Sequence, residues 1–216
     1  MRAGCAVLLL VTIGLFGGVA GAAWIGYRAL QEPEIAANPG TADDGVRGQQ
    51  KIYDVARGSS GRSKTRPRQV VLSEPELNGF LARHLGEAAR IPVAVGTVKL
   101  VGDGVVEFKG QLPLRHVLAA RPLVPILGLL PDRWLKRSVW LHLGTRASLE
   151  VGTARSQRRY LRLDVERFAL GRQPLPEILM RLLVSPATLG LLRWQMPDTV
   201  EGITVEPGVV VVRTAS

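Results

Sequence analysis

One cysteine in 216 residues, Cys5, leaves the remainder of the chain without a thiol. No internal disulfide can form, and zinc–thiolate and thiol-nucleophile chemistry are excluded beyond that position. Cys5 precedes the apolar run that follows it instead of ending it, which argues against lipoprotein-type acylation and leaves palmitoylation open. Aromatic residues make up only 5% of the chain, so a core must be built from Leu, Val and Ala, which the 46% hydrophobic content supplies. Acidic residues are scarce as well: 18 Asp and Glu face 28 Lys and Arg, a formal charge of +10. Such an excess attracts polyanions, either nucleic acid or an anionic lipid surface. Most of the bases are Arg, which grips phosphate bidentately.

Charge is also missing from one long stretch. Between Arg2 and Arg28 there is no charged side chain, and CAVLLLVTIGLFGGVAGAAWIGY fills the gap. At 1.5 Å per residue such a run reaches across a hydrocarbon layer of about 30 Å. Trp24 and Tyr27 stand where an interfacial aromatic belt belongs. The expectation is a signal-anchor helix over about 4–27, within a membrane-anchor unit of 1–30. The protein would then sit in the inner (cytoplasmic) membrane as a single-pass chain, its N-terminus cytoplasmic and its body extracytoplasmic. Ala20-Gly21-Ala22 keeps a cleaved signal peptide open as the alternative.

Residues 31–68 read as a polar, flexible linker, rich in Gly and carrying Pro33 and Pro39. Within it, Lys51–Ala56 has the pattern of a short strand or helix, and Arg62, Lys64, Arg66 and Arg68 form a basic run, a solvated tether or a juxtamembrane contact with anionic head groups. Residues 69–216 read as one β-rich domain. Ser73-Glu74-Pro75-Glu76 is a capping box, and Leu77, Phe80, Leu81, Leu85 and Ala88 recur at helical spacing, which predicts a helix over about 74–89. Gly102-Asp103-Gly104 marks a hairpin between Thr97–Val101 and Val105–Leu112. Ser138–Leu143 and Arg146–Val151 read as two strands about Gly144-Thr145. Arg159–Val165 alternates as a strand, and Gly202–Val205 and Val209–Arg213 flank a turn at Pro207-Gly208. Helices are expected near Pro176–Val184 and Ala187–Trp194. The fold class is α+β: a transmembrane helix, then a mostly antiparallel, curved β-sheet packed on a few helices.

Catalytic constellations are weak. His84, His116 and His142 have no Cys, His or Asp at ligand spacing, so no metal site and no cofactor is expected. Ser73, His84 and Asp164 make a triad only on paper, because Ser73 already serves as a cap and no G-x-S-x-G elbow exists. The chain reads as a non-enzyme. No nucleic-acid motif accompanies the positive charge, and nucleic acid is not expected as a partner.

The most unusual stretch is Pro113–Arg137, PLRHVLAARPLVPILGLLPDRWLKR. Leu123, Val124, Ile126, Leu127, Leu129 and Leu130 form an uncharged centre between Arg115, His116 and Arg121 on one side and Arg133, Trp134, Lys136 and Arg137 on the other. It is too short to span a bilayer. It fits a core helix, the commonest fate of such a run, an interfacial segment with a basic and aromatic collar, or a lid over an apolar pocket.

Four motifs carry a family resemblance: S-E-P-E-L-N and its helix, the hairpin T-V-K-L-V-G-D-G-V-V-E-F-K-G, F-A-L-G-R-Q-P-L-P-E-I-L at Phe168–Leu179, and M-P-D-T-V-E-G-I-T-V-E-P-G-V-V-V-V at the end. Together these resemble small membrane-anchored bacterial envelope proteins of unknown function, with domains in the style of tubular (TULIP-like) lipid-binding modules. The resemblance covers most of 69–214. It implies a curved sheet wrapped on helices, an apolar groove able to hold acyl chains, and no catalytic residues. The insert at Pro113–Arg137 departs from the simplest form of that pattern. The expected partner is membrane lipid, with another envelope protein as the alternative. For lipid, the apolar contacts would be Leu123 to Leu130 and the head-group contacts Arg133, Trp134, Lys136 and Arg137.

Overall fold

Ser73 and Glu76 cap each other reciprocally, which starts helix α3 (Glu74–Ala89) directly after strand β1 (Arg68–Ser73). The Ser73 N–H donates to Glu76 Oε2 at 2.9 Å, and the Glu76 N–H donates to Ser73 Oγ at 3.4 Å. This computed structural model describes residues 2–57, 68–89, 94, 96–119, 124–128, 130–152, 158–176 and 192–215, with side chains of the first helix described from Phe16 onward.

The buried face of α3 is polar. Glu74 is 0% exposed and Asn78 3%. One turn apart, these two side chains lie on the same face. Both reach the outer edge of strand β2 (Gly96–Gly102). Glu74 Oε2 accepts from the Leu100 N–H at 2.8 Å. Asn78 Oδ1 accepts from the Val98 N–H at 2.6 Å, and its Nδ2 donates to the Val98 carbonyl at 2.9 Å. On their other side they meet the Asn38 backbone, whose N–H donates to Glu74 Oε1 at 2.7 Å and whose carbonyl accepts from Asn78 Nδ2 at 2.7 Å. Two side chains thus stand where a further strand would pair, and they satisfy and block an otherwise open sheet edge.

The sheet so bordered runs β2–β3–β4–β5–β6, all antiparallel, with β3 at Val105–Pro113, β4 at Ser138–Val151, β5 at Arg159–Leu170 and β6 at Gln173–Pro174. Strand β7 (Arg193–Met196) also pairs with β5. A second antiparallel sheet has the order β1–β9–β8, with β8 at Val200–Glu206 and β9 at Val209–Thr214. The two sheets interlock through their turns. The Gly208 N–H donates to the Leu100 carbonyl at 3.0 Å, and the Gly104 N–H to the Val205 carbonyl at 3.3 Å. Val55, Val70, Val200 and Val212 form a core on the smaller sheet, with Met196, Ile203 and Val210 packed against it.

Several expectations change. Residues 31–57 are not a flexible tether. Thr41 caps helix α2 (Ala42–Arg57), its Oγ1 accepting from the Asp44 N–H at 3.2 Å, and Ile35 and Val55 are buried. The glycines that read as flexibility let α2 and α3 touch backbone to backbone. A Cβ on Gly45 would lie 2.7 Å from the Gly79 carbonyl oxygen, and one on Gly79 2.5 Å from the Gly45 nitrogen. Of the basic run, Arg62, Lys64 and Arg66 lie outside the described residues, and Arg68 opens strand β1. Ser138–Val151 is one strand of 14 residues, not two. The feature at Gly144-Thr145 is a bulge in its pairing with β5, which bends the strand without reversing it. Trp194 belongs to β7 and not to a helix, while 177–191, which hold most of the two late helices expected, lie outside the described residues.

The anchor is the largest correction. Helix α1 spans Arg2–Leu30, but among the described residues no helix is long and apolar enough to cross a membrane. Gly17, Gly18, Gly21 and Gly26 dilute its apolarity, and Arg28 ends it. The expected single-pass transmembrane helix, and the inner-membrane placement drawn from it, are therefore not supported. Instead, the last turn of α1 is clamped to the β5–β6 turn. The Arg172 N–H donates to the Arg28 carbonyl at 2.9 Å, and Arg172 Nε donates to the Glu32 carbonyl at 2.9 Å. Gly171, at φ +55°, allows the approach: a Cβ there would lie 2.5 Å from the Ala29 carbonyl oxygen.

Asn78→Ala should lower stability by about 3 kcal/mol in urea denaturation, because it strands buried backbone groups of Val98 and Asn38. A loss under about 1 kcal/mol would show that water replaces the side chain and that the edge is not held this way. Gly79→Ala should destabilise by at least about 2 kcal/mol, by forcing α2 from α3; an unchanged unfolding midpoint would contradict the close helix contact.

Candidate functional site

The Pro113–Arg137 stretch leaves the sheet at the end of β3 and returns at the start of β4. In register, Pro113 faces Ser138. Between them lie three short helices: α4 (Leu114–Leu118), α5 (Val124–Leu127) and α6 (Asp132–Leu135). Proline sets these boundaries. Pro113 and Pro131 are the extended residues before α4 and α6, where a missing N–H costs nothing. The Leu114 N–H donates to the Arg137 carbonyl at 2.8 Å and closes the insert into a loop with a narrow neck.

The insert is not a core helix between hairpins. Neither α4 nor α6 contains a buried residue. Val124 is 48% exposed and Trp134 42%. Leu127 and Leu130 are half-buried; Arg133, Lys136 and Arg137 are exposed. The Arg137 guanidinium lies over the Trp134 ring, 5.1 Å from its centroid. Leu123 and Leu129, and the side chain of Ile126, lie outside what is described. The structure thus brings together Val124, Leu127, Leu130, Arg133, Trp134, Lys136 and Arg137 of the expected set in one exposed loop.

Sequence reasoning did not foresee how the charges pair. Several bases elsewhere meet acids: Lys51 with Glu76 at 2.7 Å, Lys109 with Glu32 at 2.8 Å, Arg162 with Asp164 at 2.7 Å, and Arg193 with Glu150 at 3.3 Å. In the insert, Arg115, Arg133, Lys136 and Arg137 have no carboxylate partner among the described residues, and Asp132 is the stretch's sole acid. The signal available in the sequence was this local deficit of Asp and Glu, which a whole-chain charge count averages away.

The α1 clamp lies at the same end of the larger sheet. The Gly171 N–H donates to the carbonyl of Trp140, two residues along β4 from the insert's return. Beyond the clamp α1 stands clear of the body: Phe16 is 74% exposed, and a Cβ on Gly17, Gly21 or Gly26 would meet nothing within 4 Å. A cavity of about 260 Å³ lies elsewhere, between the interlocked turns, lined by Asp103, Gly104 and residues Ile203 to Pro207.

The histidines stay apart. His84 lies against Phe80 and within 3.4 Å of Gln49 Oε1, His116 is exposed on α4, and His142 is half-buried on β4. Ser73 is occupied as a cap and Asp164 by Arg162, so the paper triad does not assemble. Among the described residues no three of His, Cys, Asp and Glu converge on a metal position. Burial pushes the His142 pKa below its ordinary value; Glu107, 3.8 Å away, opposes this and Arg167 adds to it. Burial raises the Glu76 carboxyl, but hydrogen bonds from Lys51 and Ser73 and the Lys51 charge outweigh it and leave the pKa lowered.

The fold and the insert define a class: an antiparallel α+β domain that displays an exposed, basic, apolar loop at one end of its larger sheet. No family model, curated protein or solved structure matches the chain.

The two shifts set the pH dependence of stability. His142 binds its proton less readily folded than unfolded, so stability falls as pH drops below about 6.5, the unfolded value. The Glu76 contribution is complete above about 4.5 and is lost as pH falls below it. Urea titrations across pH should therefore show two declines, and His142→Gln should abolish the upper one alone. An unaltered profile in that variant would rule out the assignment.

Proposed function

We propose that this protein binds lipid, or another long apolar ligand, without reacting it, and that the α4–α6 insert makes the contact. One observation carries this reading. The insert exposes Val124 and Trp134 and half-exposes Leu127 and Leu130 in a loop where four bases lack acid partners among the described residues. An apolar loop meant for the protein's own core would be covered, and one meant for water would not be apolar. Leu127 and Leu130 supply area to be taken from water, and Trp134 suits the boundary between hydrocarbon and head groups. The tubular lipid-binding resemblance agrees with this reading. So does the larger sheet, whose one face carries Val98, Leu100, Val106, Phe108, Leu141, Leu143, Leu161 and Leu163 by strand alternation.

A phospholipid carrying a photoreactive group on its acyl chain tests this with the full chain in bilayers. Adducts should map to 124–134, and the Leu127→Glu, Leu130→Glu double variant should lower their yield there about tenfold. Adducts confined to other segments would sink the proposal. A dominant cross-link from Trp134 to another protein would replace it with an assembly role in an envelope complex.

A further inference from the structure

The insert's neck gathers bases that the sequence holds far apart. Arg115 follows Leu114, whose N–H is bonded to the Arg137 carbonyl at 2.8 Å, so the start and end of the insert are tied together. Arg133, Lys136 and Arg137 follow one another through α6 and its last turn, where the Lys136 N–H donates to the Asp132 carbonyl at 3.1 Å. All four are within one small loop, and the three of α6 and its end are exposed, as is Arg115. No carboxylate among the described residues pairs with them. By contrast, bases that border the same sheet end are already spent: Lys109 on Glu32, and Arg172 on Glu34. The Arg137 guanidinium remains stacked on Trp134, which holds a donor fork at the level of an interfacial aromatic ring.

We infer that this neck selects an anionic phospholipid surface over a zwitterionic one. The inference rests on the lipid-binding reading and deepens it. Four bases without an acid partner among the described residues flank the apolar contact, and a surface of negative head groups is their complement. Nucleic acid would also complement the charge, but it would leave Val124, Leu127 and Leu130 in water. Each base close to an anionic bilayer strengthens binding about fivefold at ordinary ionic strength.

The full chain is compared on phosphatidylcholine vesicles and on vesicles in which about a third of the lipid is phosphatidylglycerol. The readout is the ratio of the two partition coefficients, which cancels any contribution of α1 common to both. Wild type should favour the anionic vesicles on the order of 600-fold, and the preference should shrink in high salt. Arg115→Gln with Arg137→Gln should cut the ratio about 25-fold, and Arg133→Gln with Lys136→Gln similarly. All four side chains are exposed, and an unchanged thermal midpoint checks folding. Equal partitioning of wild type to both vesicles overturns the selectivity and leaves the lipid reading standing. Absence of insert-dependent binding to either overturns both. Tighter binding to duplex DNA than to anionic vesicles, lost in the same variants, would replace the lipid surface with a nucleic acid.

Discussion

The edge of β2 would be an open template for further pairing if Glu74 and Asn78 did not occupy it. A carboxylate with no exposure is costly to bury, and it persists here because each oxygen accepts a backbone N–H, with the Lys99 ammonium 3.7 Å away. The amide of Asn78 matches the Val98 peptide group donor to acceptor, as a strand neighbour would. Much else depends on this wedge. It fixes α3 against the larger sheet, draws in the segment before α2, and, through the Glu74 N–H bonded to the Gly208 carbonyl at 2.8 Å, ties the smaller sheet to both. The scaffold that presents the insert is thus held by buried polar groups as much as by its valine core.

Some of this was legible in the residues. The capping box named α3 to its ends, and Gly102-Asp103-Gly104 named the first hairpin, because those signals act over a few residues and need no distant partner. The polar face of α3 was not legible. Glu74 and Asn78 look like solvent-facing residues until β2 and Asn38, far away in sequence, supply their partners. The same limit hid α2, whose glycines matter only when Gly79 is opposite. At Gly144-Thr145 a strand bulge and a turn share a sequence signature, and only pairing with Arg167 and Val165 on one strand distinguishes them. The α1 expectation rested on an uncharged run, but among the described residues no helix is long and apolar enough to cross a membrane.

Much of the candidate site was legible as well. An apolar run with basic and aromatic flanks stands out in any reading, and its exposure was one of three open outcomes. The distribution of ion pairs settled the emphasis. Lys and Arg exceed Asp and Glu throughout the chain, yet on the sheets the long charged side chains are largely matched across strands, as with Arg146 and Glu166 at 2.5 Å. Such exposed pairs stabilise little. They offset part of the positive charge of the sheets, whereas the described bases of the insert have no such partner among the described residues.

Amide hydrogen exchange of the full chain, with and without vesicles containing anionic phospholipid, tests the account most directly. Lipid contact through the insert predicts slowed exchange in 114–137 while the amides of α3 and β2, already bonded within the fold, keep their rates. Unchanged exchange across 114–137 with the protein bound to the vesicles would contradict it.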